Sequence, residues 1–198
     1  KNIFQFDPLR RWHILDWAFS NVLNDVYTYS ALKFLKTGKS TFYLPGMVKK
    51  DFSNDNAIGA IDFIGLNYYS RLHVKSQLSF SEPFVFNKRE KDIQTDMDYA
   101  IYPEGFYKAL HTVSALDKPI YVTENGVADR GDNIRKIFIN RYLYALNRAL
   151  KDKLDIRGYF YWSLMDNFEW AEGYAMKFGL YEVNFETQER TLRESSKS

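Results

Sequence analysis

Apolar, strand-like segments that alternate with helical patterns constrain the fold of this chain more than any other feature of its sequence. Apolar runs occur near residues 62, 119 and 158, and segments with helical periodicity or helix start signals separate them. This alternation is typical of βαβ units, in which parallel strands form a sheet that helices cover on both faces. We therefore predict an α/β fold in a single domain that spans residues 1–198.

Periodicity and the positions of Pro and Gly predict the individual elements along the chain. Strands are predicted at residues 2–6, 61–70 and 118–126 and at the start of 156–170, helical segments at 11–37, 103–116 and 132–153, a hairpin within 78–90, and a strand pair within 175–192. Residues 40–59 predict irregular structure or a short helix.

Composition excludes several classes of function. The net charge is +2, from 27 basic and 25 acidic residues, so we expect neither nucleic acid nor a membrane as a partner. Cysteine is absent and the three histidines are far apart in sequence, which argues against disulfides and His- or Cys-based metal sites. We predict no cofactor, and the lack of cysteine and of a signal-like start favours a cytoplasmic location.

The segment IYVTENGVAD, residues 120–129, ends a predicted strand on Glu124 and then turns at Asn125 and Gly126. Either the strand holds a catalytic carboxylate rigidly, or it simply ends with Glu124 in solvent. Ligands of parallel sheets bind beyond the carboxyl ends of the strands, and Asn67 and Trp162 also lie at or just after such ends. This convergence favours a site that contains Glu124, although an exposed loop residue stays possible.

A second group of acidic and aromatic residues follows the strand that starts near residue 156. The candidate carboxylates of the site are Glu124, Asp166, Glu169 and Glu172. Glycoside hydrolysis uses two carboxyl groups, about 5 Å apart for retention and roughly 6.5–9.5 Å apart for inversion. Glu169 lies between Phe168 and Trp170, so it could bind sugar hydroxyls while the rings stack on the sugar. The alternative is an acidic surface loop with a packed tryptophan, and the 18% aromatic content fits either a core or a sugar site.

Four segments carry a resemblance to a known family: IDFIGLNYYS, IYPEGFY, YVTENG and GYFYWSLMDNFEWAEGYAMKFGLYEVNFET. They span most of the chain, and together they resemble, in the same order, the C-terminal part of glycoside hydrolase family 1, the β-glucosidase and β-galactosidase family. The resemblance implies the C-terminal portion, about strands 5–8, of a (β/α)8 TIM barrel. It also implies a retaining mechanism that proceeds through a covalent glycosyl-enzyme.

The resemblance also implies roles for the residues at the strand ends. Glu124 would be the nucleophile, and Tyr69 would hydrogen-bond to its carboxylate and position it. Asn67 would lie nearby in the same site, and Phe178 would close the wall of the sugar pocket.

Four further positions bear on substrate. By the same resemblance, Trp162 would be the platform under the sugar, Glu169 would accept hydrogen bonds from its 4- and 6-hydroxyls, and Trp170 would contact its 3-hydroxyl side. Tyr99 stands where the family often has tryptophan on the aglycone side, so aglycone preference does not transfer. A carboxylate at Glu169 would repel a phosphate, which favours unphosphorylated β-glucosides or galactosides.

The main departure from the family is length, since its members are more than twice as long. The resemblance places residue 1 inside the fifth barrel strand and implies that the T-F-N-E-P motif, with the acid/base glutamate, lies outside this chain; Glu104 stands at the wrong place for that role. We expect two open sheet edges and an uncovered apolar face, completed by the N-terminal barrel half or by self-association. The alternatives to an enzyme are a non-catalytic module that binds sugar or protein, and a structural fragment.

Overall fold

A computed structural model describes residues 2–44, 48–79 and 81–197 of the chain. In chain order, its strands are β1 (Asn2–Pro8), β2 (Lys39–Leu44), β3 (Val48–Ser53), β4 (Ile64–Ser76), β5 (Phe84–Asn87), β6 (Ile120–Asn125), β7 (Ile156–Tyr161), β8 (Tyr181–Val183) and β9 (Arg190–Leu192). Its α-helices are α1 (Ile14–Asn24), α2 (Ser30–Thr37), α3 (Pro103–Ser114) and α4 (Arg135–Lys151).

Four parallel strands form the centre of the molecule, in the order β1-β4-β6-β7. The predicted α/β class with a parallel sheet is therefore confirmed. Strand β4 runs beyond the predicted 61–70 segment to Ser76, and its far end pairs antiparallel with β5. The hairpin predicted within residues 78–90 is therefore wrong in its bounds, because its second strand is β5 but its first strand is the end of β4. Strands β8 and β9 form the predicted antiparallel pair.

The helical predictions hold, with shifted ends. Residues 14–37 form α1, a π-helical turn at Asp25–Tyr29, and α2 without a break. Helix α3 begins at Pro103, as predicted, because a proline at the first helical position lacks only an N–H that would have no partner there. Helix α4 starts at Arg135 rather than at residue 132. The Asp129 carboxylate accepts hydrogen bonds from the backbone N–H groups of Asn133, Ile134 and Arg135, which caps the helix from the preceding loop.

The prediction of irregular structure for residues 40–59 is wrong for its first part. Strands β2 and β3 pair antiparallel from Lys39 opposite Ser53 to Leu44 opposite Val48, while the tip, residues 45–47, lies outside the described residues. Every residue of β3 is exposed, so the sequence lacks the alternation of apolar and polar residues that marks a half-buried strand. The short helical turn predicted as the alternative is present at Asp55–Ala57.

The core lies between one face of the sheet and the helices α3 and α4. It contains strand residues such as Leu66 and Val122 and helix residues such as Phe106 and Phe138. The sequence pattern suggested cover on both faces, but on the inner face Phe63 is 57% exposed and Phe160 is 58% exposed. Within the described residues, this face carries apolar side chains at the protein surface, as the resemblance to half of a barrel led us to expect.

Candidate active site

A cavity of about 250 Å³ lies at the carboxyl ends of the parallel strands. Ile3 and Met97, which the sequence reasoning did not identify, line it together with the eight residues for which the resemblance implied a place in the site: Asn67, Tyr69, Tyr99, Glu124, Trp162, Glu169, Trp170 and Phe178. A larger groove, of about 770 Å³, lies between α3 and α4 on the outer side of the sheet and contains none of these residues. The structure thus brings the predicted residues together, and their chemical roles are taken up below.

A β-bulge directs Glu124 into this cavity. Leu66 of β4 lies opposite Val122 of β6, but the next pair is Asn67 with Glu124, so Thr123 is an extra residue on β6. In a regular strand, alternate side chains share a face, and Glu124 would then point with the buried Val122 toward the helices. The extra residue moves Glu124 to the face that carries Asn67. We had expected Asn67 to lie at the end of its strand, but β4 continues to Ser76. The register still aligns Asn67 with Glu124.

Tyr69 holds the Glu124 carboxylate. Its hydroxyl donates a hydrogen bond of 2.8 Å to Glu124 Oε2. Burial raises the pKa of Tyr69 above its ordinary value of 10.0, and the hydrogen bond to Glu124 raises it further, so the phenol stays a proton donor at neutral pH. The ring of Tyr69 meets the ring of Phe178 edge-on at 6.1 Å between centroids, and Phe178 is itself 4% exposed. The donor is therefore fixed by packing as well as by its hydrogen bond.

The two asparagines next to these residues make different contacts. Asn67 Oδ1 accepts a hydrogen bond of 2.6 Å from Thr123 Oγ1, which fixes the amide of Asn67 at the cavity. Asn125 is fully buried and donates to the backbone carbonyl of Tyr68 at 2.6 Å, while its Oδ1 accepts from Tyr159. Asn125 therefore ties β6 to both neighbouring strands from the helix side and anchors the residue next to Glu124.

Trp162 and Glu169 form a second polar pair in the cavity. Trp162 Nε1 donates a hydrogen bond of 3.0 Å to Glu169 Oε1, and Glu169 is 8% exposed. Burial raises the pKa of Glu169, the Trp162 hydrogen bond opposes that shift, and the negative charge of Glu124 adds to it. Both carboxylates line the same cavity.

Aromatic groups surround these carboxylates. Trp170 is 85% exposed although it lines the cavity, and it lies in a short 3-10 turn, Trp170–Glu172. Tyr99 is half-buried on the same cavity. An indole with so much exposed area can cover the apolar face of a ligand that enters the cavity.

Two of the four candidate carboxylates lie outside the cavity lining. Asp166 is 3% exposed and pairs with Arg193 Nη2 at 2.8 Å, and it also accepts a hydrogen bond from the backbone N–H of Gly179. It organises the loop rather than the site. Glu172 is exposed. The sequence placed all four near strand ends and could not tell the cavity residues from the others. The pairing of Asp166 with Arg193, 27 residues further along the chain, is seen only in the structure.

Neither a metal cluster nor a membrane segment is found in the described parts of the chain. Residues 2–44, 48–79 and 81–197 contain no group of three His, Asp or Glu side chains suited to hold a metal ion. No helix in these ranges is both long and apolar enough to span a bilayer.

Comparisons with known proteins identify the family to which the chain belongs. The sequence model of the family described as glycosyl hydrolase family 1 matches residues 10–198. A β-galactosidase from Pyrococcus woesei is 35% identical over 195 residues, covering 88% of this chain and 38% of the relative. β-Glucosidase A from Acetivibrio thermocellus is also 35% identical over 195 residues, with 90% and 42% covered.

The solved structures give the same result for the fold. A β-glycosidase from Pyrococcus horikoshii superposes with a TM-score of 0.83 at 34% identity, over 99% of this chain and 45% of that protein. The four parallel strands and their helices are thus part of a TIM barrel, and the chain spans about two fifths of the length of the curated relatives it matches. On this evidence the chain belongs to glycosyl hydrolase family 1, whose members cleave glycosidic bonds.

Proposed function

We propose that this chain is the nucleophile-bearing part of a retaining β-glycosidase. The observation that carries the proposal is the Glu124 carboxylate, which the β6 bulge turns into a cavity and the Tyr69 hydroxyl holds at 2.8 Å. A carboxylate that is fixed beside aromatic rings and a second carboxyl group suits attack on a sugar.

The chemistry would proceed in two steps. In the first, an oxygen of Glu124 forms a bond to C1 of the sugar while the bond from C1 to the leaving-group oxygen breaks and that oxygen takes up a proton. In the second, water attacks C1, loses a proton, and releases Glu124 as a carboxylate. Tyr69 would keep the attacking oxygen aligned, because a positioned donor restricts the carboxylate to one orientation.

The proton of the first step needs an acid, and we assign that role to none of the described residues that line the cavity. Among the described residues that line it, Glu124 and Glu169 carry the carboxyl groups. Glu169 is hydrogen-bonded to Trp162 and would instead bind the sugar hydroxyls. We place the acid/base group on the remaining part of the barrel, which would pack on the exposed inner face that includes Phe63 and Phe160.

The expected substrates are unphosphorylated β-glucosides or β-galactosides. Trp162 would lie under the sugar, Trp170 and Phe178 would enclose it, and Asn67 would hydrogen-bond near its reacting end. Tyr99 would contribute to the aglycone side. A phosphate would meet the buried negative charge of Glu169, which is unfavourable at close range.

The absence of an acid/base group from the described cavity residues favours one alternative, a sugar-binding module without turnover. The distinction can be tested by co-refolding the chain with the part of the Pyrococcus woesei relative that it does not match. The reaction with a 4-nitrophenyl β-glucoside is followed by proton NMR. We expect the β-anomer of glucose to appear first, and Glu124→Gln to abolish it. Appearance of the α-anomer first would contradict retention, and sugar binding without hydrolysis would favour the binding module.

A further inference from the structure

Arg135, the first residue of α4, is fully buried outside the cavity and takes no part in the chemistry described above. The five N–H groups of its guanidinium contact six acceptors, because Nη1 shares its two N–H groups among three of them: the backbone carbonyls of Val127 (3.1 Å), Asp129 (2.8 Å), Lys177 (3.1 Å) and Phe178 (3.1 Å), the Tyr161 hydroxyl (3.0 Å) and Asp132 Oδ1 (3.0 Å). A single side chain thus reaches the loop after β6, the end of β7 and the segment before β8.

Each of these three segments carries or adjoins a residue of the candidate site. Val127 follows Glu124 by three residues, Tyr161 directly precedes Trp162, and Phe178 is itself a cavity residue. Phe178 also packs on Tyr69. The guanidinium therefore connects the backbone segments next to Glu124, Trp162 and Phe178.

The segments are also joined directly, and Arg135 adds its bonds to these contacts: Leu180 N–H donates to Ser163 O at 2.9 Å, and Arg130 Nη2 donates to Ala175 O at 2.7 Å. The backbone N–H of Asp129 donates to Lys177 O at 3.0 Å, and Trp162 N–H donates to Asn125 O at 3.0 Å. Ser163 N–H lies 3.4 Å from Phe178 O, which is a long hydrogen bond. The guanidinium is a second donor to Lys177 O and Phe178 O, which already accept these backbone bonds, and it joins them to Val127 O in the loop after β6.

The chemistry of the side chain explains why this position requires arginine. A guanidinium is planar and offers five N–H donors in a fixed fork, whereas the lysine ammonium offers three donors around one point. Burial of the guanidinium charge carries a large desolvation cost. The ion pair with Asp132 offsets part of that cost. The arrangement fixes the geometry of the three segments that Arg135 joins.

We propose that Arg135 is a positioning residue that sets the mutual orientation of Glu124, Trp162 and Phe178 for glycosyl transfer. The proposal rests on the proposed function of the site. Loss of this orientation would slow formation of the covalent bond to Glu124 more than it weakens sugar binding, because misplacement by about 1 Å can cost roughly 100-fold in rate.

The test compares Arg135→Lys with Arg10→Lys, in the chain co-refolded with the unmatched part of the Pyrococcus woesei relative. Arg10 holds the buried Asp16 through two nitrogens, and neither residue lines the cavity or bonds to the loops that Arg135 joins, so its substitution is expected to lower stability alone. Labelling with 2-deoxy-2-fluoro-β-D-glucosyl fluoride is followed by mass spectrometry and expressed per folded molecule. We expect the rate constant at saturating reagent to fall roughly 10- to 100-fold for R135K with a small change in half-saturating concentration, and to stay within about twofold for R10K.

A wild-type rate constant per folded molecule in R135K would overturn the proposal. If R135K does not fold, Tyr161→Phe removes one acceptor of the guanidinium and retains the ring. We expect a smaller fall in rate for Y161F, and an unchanged rate would count against the network.

If even the wild-type protein takes no label, the proposed function fails, and amide hydrogen exchange then decides on Arg135. Faster exchange at Asp129 and Ser163 in R135K, but not in R10K, would support the loop-positioning role. Equal exchange in the two variants would overturn it.

Discussion

Replacement of Tyr69 by phenylalanine removes the hydroxyl that holds Glu124 and leaves the rest of the residue in place. The ring of the variant keeps the edge-on contact with Phe178, whose ring centroid lies 6.1 Å away. The bond that is lost is the 2.8 Å hydrogen bond to Glu124 Oε2. The substitution therefore tests a single interaction of the proposed nucleophile.

The size of the effect follows from the charge on the acceptor. Hydrogen bonds to charged groups contribute about 1.5–3 kcal/mol. If Y69F loses this stabilisation of the aligned carboxylate in the transition state, the rate of bond formation falls roughly 10- to 150-fold, since each 1.36 kcal/mol is a factor of ten. We expect most of the loss in the rate constant at saturating reagent.

The assay is covalent labelling of the co-refolded protein by 2-deoxy-2-fluoro-β-D-glucosyl fluoride. The neighbouring Tyr68 provides a matched control, because it lies on the same strand but is fully buried toward the helices, where its hydroxyl donates to Tyr102 O at 3.2 Å. Tyr68→Phe should lower the free energy of unfolding by about 1 kcal/mol and leave the labelling rate per folded molecule unchanged. Equal labelling rates in Y69F and the wild type would refute the positioning of Glu124 by Tyr69.

Three further predictions concern the cavity and the ion pairs. Trp170→Ala should change the free energy of unfolding by no more than about 0.5 kcal/mol, because the indole is 85% exposed, yet it should raise the reagent concentration for half-maximal labelling. Because the pKa of Glu169 is raised in the folded state, protonated Glu169 stabilises the fold below the ordinary pKa of 4.5, and this stabilisation is lost as the pH rises through the pKa of the folded state. In urea unfolding, Glu169→Gln should therefore gain stability over the wild type as the pH rises from 4 to 7. Arg10 lowers the pKa of Asp16 well below its ordinary 3.8, so ionised Asp16 stabilises the fold above pH 3.8 and this stabilisation is lost at lower pH. The free energy of unfolding of Asp16→Asn should therefore fall less steeply with acid than that of the wild type. Equal pH dependence in the two proteins would contradict the role of the ion pair.

The sequence predicted the parallel sheet because its buried strands and amphipathic helices have clear periodicity. The hairpin β2–β3 was missed for the opposite reason, since all of β3 is exposed and no apolar face marks it. The late start of α4 was also missed, because the cap that begins it comes from Asp129, in the preceding loop. Periodicity therefore identified the elements that build the core. It failed for elements without a buried face, because their sequences show no repeating pattern of apolar residues.

For the site, motif and strand position together predicted the residues but not their orientation. The face of Glu124 depends on the extra residue Thr123 in β6, which appears only when the register with β4 is known. Asp166 and Glu169 are three residues apart, yet one pairs with Arg193 and the other lines the cavity. Such separations depend on contacts between distant parts of the chain, which a single sequence does not specify.

The most direct test of the proposed function is to identify the residue that becomes covalently labelled. The co-refolded protein is treated with 2-deoxy-2-fluoro-β-D-glucosyl fluoride, from which fluoride departs as a carboxylate oxygen bonds to C1, and the labelled peptide is sequenced by mass spectrometry. We predict a single label on Glu124, absent in Glu124→Gln and present in Glu169→Gln. A label on Glu169 or Asp166, or no label on the wild-type protein, would contradict the assignment of Glu124 as the nucleophile.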